Sequence, residues 1–90
     1  MNIAFMTYSF SGYGASYKSF EITRDTKKCY FVKADKYSEY RFLKEEIGKV
    51  KHMTRDNCPY LEIAMINATK EELNEKIAEW FENKANEFRN

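Results

Sequence analysis

The sequence predicts an α+β domain: one mainly antiparallel sheet of four or five strands with two helices packed on one face, in the order β-β-β-α-(β)-β-α. Three observations carry that reading. From Thr69 to Phe88, apolar residues recur at Leu73, Ile77, Trp80, Phe81, Ala85 and Phe88, the 3.6-residue rhythm of a helix with one apolar stripe. Tyr60 to Ile66 is an almost unbroken apolar run in which only Glu62 is charged, as expected of a strand inside a sheet. Before Ala34, short runs of β-favouring residues are separated by turn formers, the pattern of strands joined by hairpins.

Taken in order, Asn2 to Phe10 reads as a strand whose two alternating sets, Ile3 and Phe5 against Ala4, Met6, Tyr8 and Phe10, are both apolar. Cover on both faces is expected of such a strand. Ser11-Gly12-Tyr13-Gly14-Ala15 is a turn, and Ser16 to Thr23 is a second strand with Phe20 and Ile22 on one face and Ser19, Glu21 and Thr23 on the other. A third strand runs from Lys28 to Ala34. Its register is open: a loop of Asp25-Thr26 pairs Ile22 with Cys29 and Phe20 with Phe31, whereas a three-residue loop pairs Ile22 with Tyr30 and Phe20 with Val32.

Beyond Tyr37 the period changes. Ser38 is placed to cap a short helix from Glu39 to Ile47, with Tyr40, Leu43 and Ile47 inward and Gly48 as its stop. Lys49 to Thr54 reads equally as a strand or an irregular return. Arg55 to Pro59 is a turn, since Asn, Asp and Pro cluster there. Two residues after Ile66, the closing helix begins at a capping box, in which the Thr69 hydroxyl accepts from the Glu72 N–H and the Glu72 carboxylate reaches back to the Thr69 N–H.

Ninety residues suit a single α+β domain over residues 1–90. Fifteen basic residues against 14 acidic ones give a net charge of +1, too little for a strong nucleic-acid field. Two cysteines, Cys29 and Cys58, make no disulfide framework and point to a reducing, cytoplasmic setting. Met1 to Ala15 lacks the basic start and apolar run of a signal peptide, and no stretch is long and apolar enough for a membrane span. No cofactor and no metal site are expected. Cys29, His52 and Cys58 lack paired metal-ligand spacing, and Gly12-Tyr13-Gly14 lacks the third glycine and following helix of a phosphate loop.

His52 and Cys58 flank a turn and would suit a base and a nucleophile only if they met, with no orienting third group in view; no catalytic residue is assigned and no enzyme is expected. Glu71, Glu72, Glu75, Glu79 and Glu82 belong to the solvent face of the helix. Thr7 to Ser19 is the least ordinary stretch, because Tyr8, Tyr13 and Tyr17 are mixed with serines and glycines and no charge occurs before Lys18. Protein-binding loops favour that mixture, rigid contact area beside adaptable backbone. The expected function is a small non-catalytic module that binds a larger protein stoichiometrically as an inhibitor or adaptor, of the size of phage or mobile-element inhibitors of host defence or regulatory proteins. Tyr8, Phe10, Tyr13, Tyr17 and Lys18 are its expected contacts. The alternative partner is single-stranded nucleic acid, on a hairpin where Lys18, Arg24, Lys27, Lys28, Lys33 and Lys36 are interleaved with Tyr17, Tyr30 and Phe31.

Overall fold

The computed structural model describes residues 1–10 and 14–89. Within them, six antiparallel strands form one curled, half-barrel sheet: β1 (Asn2–Ser9), β2 (Ala15–Asp25), β3 (Cys29–Lys33), β4 (Glu39–Leu43), β5 (Lys51–Arg55) and β6 (Cys58–Ile66), in the spatial order β4-β3-β2-β1-β6-β5. The chain closes with helix α1 (Lys70–Arg89), which packs on β1 and β6.

The expected α+β arrangement of four or five strands with two helices is therefore corrected to six strands with one helix. The missing helix is Glu39–Ile47. Residues Glu39–Leu43 instead pair with β3, from Cys29↔Leu43 to Lys33↔Glu39, and only Lys44–Glu46 makes a 3₁₀ turn. The local reason lies at Asp35, whose carboxylate accepts from the N–H groups of Tyr37 and Ser38 at 2.8 Å each and so turns the chain straight back into a hairpin. Ser38 is thus held within that turn instead of capping a helix. The two backbone bonds hold the Asp35 carboxyl below the usual aspartate range, the bond from Tyr37 first. The tertiary reason is Phe42, which a period-2 reading places on one face with Tyr40. Its ring lies 5.7 Å from Phe5 and 6.5 Å from Phe20.

Strand β1 is covered on both sides, as its sequence predicts. Ala4 and Met6 join Leu61, Ile63, Ala68, Leu73 and Ile77 in a core beneath the helix. Ile3 joins Val32 and Ala64 in a second core on the concave face, with Phe5, Phe20, Ile22, Tyr30, Phe42, Ile47 and Ile66 packed around it. Lys49–Thr54, left open by the sequence, supplies β5, paired with β6 from Lys51↔Glu62 to Arg55↔Cys58. Arg55, Cys58 and Pro59, all expected in the turn, instead end β5 and begin β6, and the turn itself is Asp56-Asn57. Both turn residues have positive φ, 51° and 63°, the backbone of a two-residue hairpin whose twist matches its strands.

Neither expected register of the β2–β3 hairpin occurs. Ile22 pairs with Val32, and a bulge then brings Arg24 opposite Phe31. That extra residue turns Arg24 out of the concave face, and its guanidinium lies 3.9 Å from the Phe31 ring centroid. The hairpin tip is Lys27-Lys28, because Thr26 and Cys29 are joined by a backbone bond of 2.9 Å and by the Thr26 hydroxyl.

The capping box forms: the Glu72 N–H donates to Thr69 Oγ1, and the Thr69 N–H donates to Glu72 Oε1, both at 3.2 Å. Just before it, Asn67 adopts φ 51° and exchanges two bonds with Asn2, at 2.8 and 2.9 Å, tying the helix start to β1. Leu73 and Ile77 are buried as expected. Trp80 is only half-buried, Phe81 is 38% exposed and Phe88 is 91% exposed. At a rise of about 1.5 Å per residue the 20-residue helix is about 30 Å long, so its last turns run beyond the sheet that covers its first half.

Leu73→Ala is expected to cost about 2–5 kcal/mol, a large share of the roughly 5–15 kcal/mol that holds a small domain together, while Phe88→Ala leaves the melting temperature unchanged. Equal effects in thermal denaturation would contradict the placement of the helix. At the β5–β6 turn, Asn57→Val should cost about 1–2 kcal/mol because a β-branched side chain resists positive φ, and Asn57→Gly should be neutral or stabilising.

Candidate functional site

Two surfaces concentrate aromatic and charged side chains, one on each face of the sheet. The first is an aromatic patch where the helix leaves the sheet. Tyr8 and Phe10, at the end of β1, meet Trp80 and Phe81 of α1 and His52 of β5. The ring centroids of Tyr8–Phe10, Tyr8–Phe81 and Phe10–Phe81 lie 5.9, 5.7 and 5.8 Å apart, edge to face. Trp80 and Phe81 meet in the same way at 5.2 Å. His52 lies parallel to Trp80 at 6.0 Å, and the Lys84 ammonium is 5.5 Å from the Trp80 ring.

Edge-to-face pairs contribute about 0.5–1.5 kcal/mol each beyond their burial, so the rings hold one another in place. Yet Phe10 and Phe81 are each 38% exposed. The backbone helps to fix Phe10, whose N–H donates to the Pro59 carbonyl at 3.3 Å.

The second surface is a groove of about 750 Å³ on the concave face. Phe5, Phe20 and Phe42 make its aromatic floor, and Tyr40 and Tyr60 stand beside them. Lys18, Arg41, Lys51 and Arg55 line it, as do Glu46, Asp56 and Glu62. Lys51 is occupied internally, 2.9 Å from Glu46 and 3.3 Å from Glu62. The hydrogen bond to Glu46, opposed by partial burial and reinforced by Glu62, raises its pKa above the usual lysine value. A raised lysine pKa places the stabilisation below the unfolded value and removes it only as pH climbs through the folded one, so this triad is intact at neutral pH. Lys18, Arg41 and Arg55 form no ion pair among the described residues.

The contacts expected from sequence are divided between these surfaces. Tyr8 and Phe10 come together in the aromatic patch. Tyr17 is on the helix side of the sheet as well, 37% exposed, with its hydroxyl donating to the Ala68 carbonyl at 3.3 Å. Lys18 lies on the opposite face, in the groove. Tyr13 lies outside the described residues.

Sequence reasoning left Trp80, Phe81 and His52 out of the contact set because Trp80 and Phe81 fell on the helix's core stripe. The signal that separates them is stripe length: a stripe reaching to Phe88 is longer than the sheet beneath it. His52 and Cys58 do not meet. His52 stacks on Trp80 beneath the helix, whereas Cys58 lines the groove on the other side. Among the described residues, no group of three or more His, Cys, Asp or Glu is placed to hold a metal ion.

The basic aromatic hairpin is also dispersed. Arg24 covers Phe31 and pairs with Glu39 at 3.4 Å, while Lys44 covers Tyr30 and pairs with Asp25. One face of each ring is thereby covered by a cation of the chain itself. Compared with known protein families, with curated proteins and with solved structures, the chain matches none.

Cys29 is buried and Cys58 is exposed, and neither is in a disulfide. A thiol reagent is expected to modify one cysteine rapidly in the native protein and both after denaturation, with Cys58→Ser abolishing the fast phase. Two fast native phases would contradict the burial of Cys29.

Proposed function

We propose that this chain is a non-catalytic binding module that attaches stoichiometrically to a larger protein, as an inhibitor or adaptor, through the aromatic patch of Tyr8, Phe10, Trp80 and Phe81. The observation that carries the reading is that Phe10 and Phe81 remain part exposed within a mutually packed ring cluster. Contiguous exposed apolar surface commonly marks an interaction site, and rigid aromatics supply most of the binding energy at such sites. Beyond Phe81, the helix adds Phe88 at 91% exposure.

Two unpaired cysteines support a reducing setting, and the cytoplasm is the compartment we assign. No helix among the described residues is long and apolar enough to cross a membrane. Single-stranded nucleic acid on the β2–β3 hairpin has less support, because stacking needs free ring faces and Arg24 and Lys44 each cover one face of Phe31 and of Tyr30.

The test is capture from a native lysate by the immobilised chain, with and without nuclease and across a salt series. A protein partner held by aromatic contacts should survive nuclease and respond weakly to salt, whereas phosphate contacts lose affinity steeply. Phe10→Ser with Phe81→Ser should weaken capture by about 2 kcal/mol or more. Loss of capture on nuclease treatment, or undiminished capture by a folded double variant, would overturn the proposal.

A further inference from the structure

The strand order leaves β4 and β5 with one neighbour each. An edge strand offers unpaired backbone N–H and C=O groups to any extended chain, and natural edges are commonly blunted with charge. β5 is blunted in that way, since Lys51 and Arg55 are cationic and the strand has no carboxylate, so two copies of it repel. β4, Glu39-Tyr40-Arg41-Phe42-Leu43, carries one charge of each sign instead.

The hydrogen bonds at the two ends of the β3–β4 pair show which groups of β4 are free. Ala34 N–H donates to the Ser38 carbonyl at 3.0 Å, and Lys44 N–H to the Lys28 carbonyl at 2.8 Å. Bonded positions alternate along an antiparallel pair, so Tyr40 and Phe42 turn their backbone groups toward Val32 and Tyr30 of β3. Those of Glu39, Arg41 and Leu43 point away from the sheet. Side chains alternate as well. The rings of Tyr40 and Phe42 meet Phe20 on the concave face, whereas Glu39 and Arg41 share the convex face with Phe31, on which Arg24 lies.

We infer that the free edge of β4 pairs antiparallel with β4 of a second copy of this chain, about a two-fold axis through Tyr40. Charge selects both the occupant and the register. Centring the pair on Glu39 or on Arg41 sets like charges directly opposite each other, and centring it on Phe42 or Leu43 runs the strand into the 3₁₀ turn at Lys44–Glu46. Centring it on Tyr40 places Glu39 of each copy opposite Arg41 of the other. Those are residues whose backbone groups point outward, so each such pair can exchange both its N–H···O bonds.

The side chains are free to meet. Arg41 forms no ion pair among the described residues, and Glu39 gives Oε1 to Arg24 at 3.4 Å, which leaves Oε2 for the second copy. Tyr40, 52% exposed, is the most exposed ring among the described strand residues, and on the axis it stands beside its own equivalent. Opposite charges and aromatic rings directly across an antiparallel pair both stabilise it. A foreign strand needs the same two charges in the same order to fit this edge, whereas a second copy carries them by symmetry. An isologous contact of this kind closes at two chains, and one strand from each copy makes a small, weak interface. β3 and β2 stand between this edge and the strands that carry the aromatic patch, so the inference is independent of that surface.

The experiment follows the full chain, isotope-labelled, by sedimentation velocity and by its amide spectrum from about 10 µM to about 1 mM, where an interface this small associates. A monomer–dimer equilibrium without larger species is expected, with the amide resonances of Glu39 and Arg41 moving as concentration rises while those of β5 and α1 hold still. Arg41→Glu and Glu39→Arg, both at exposed positions, should keep the native spectrum and each weaken the dimer about tenfold or more, because every opposite-charge pair becomes a like-charge pair. Mixed in equal amounts, the two variants again face each other with opposite charges at both pairs, and the mixture should associate within a few-fold of the parent chain. Phe10→Ser with Phe81→Ser should leave the dimer unchanged. The inference is overturned if the chain stays monomeric throughout, if either charge variant dimerises as the parent does, or if the mixture associates no better than its components. Species larger than a dimer, or shifts concentrated on β5 or α1, would overturn it equally.

Discussion

A sheet of six strands has two faces to cover, and this chain supplies one helix. Leu73 and Ile77 bury themselves against Ala4, Met6, Leu61 and Ile63, which settles the face of β1 and β6 beneath the helix. The opposite face of the same strands is apolar at Ile3, Phe5, Ala64 and Ile66. An unpaired apolar face of that size is unfavourable in water, at roughly 25 cal/mol for each Å² left exposed. The sheet meets this by curling until Phe42, on the outermost strand, reaches Phe5 near the middle. Bulges and positive-φ turns permit it: the irregularity after Ile22 bends β2, and the tight Asp56-Asn57 turn keeps β5 against β6.

Both candidate surfaces follow from that one constraint. Curling a sheet without closing it leaves a concave groove bounded by two open edges, and the groove keeps the polar and charged residues that line its mouth. A helix longer than the strip of sheet it covers must end in solvent. Its stripe therefore passes from buried Leu73 and Ile77, through half-buried Trp80, to exposed Phe88. Tyr8, Phe10 and His52 gather around Trp80 and Phe81 where that transition occurs.

Neither the curl nor the strand count was legible in the residues, but several local features were. Local signals read correctly: the capping box at Thr69 and Glu72, the two-faced character of β1, and the clean alternation of Phe20 and Ile22 with Ser19, Glu21 and Thr23. What misled was Glu39–Ile47, where Tyr40, Leu43 and Ile47 fit a helical period as well as Tyr40 and Phe42 fit a strand. Over so short a window the two periods are nearly equivalent, and the decision belongs to β3, whose open edge takes the segment up. The β2–β3 register failed for a related reason, since a bulge changes which residues face inward without leaving a mark in composition. Of the expected contacts, Tyr8 and Phe10 proved adjacent to each other, whereas Lys18, next in sequence to Tyr17, emerged on the far face by strand alternation alone.

The curl itself is most directly tested by proton–proton nuclear Overhauser effects between ring protons of Phe42 and those of Phe5 and Phe20. The account predicts both contacts, together with cross-strand contacts between residues 39–43 and 29–33. Sequential helical contacts through residues 39–47, with no Phe42–Phe5 contact, would contradict it and restore a flat sheet beneath two helices.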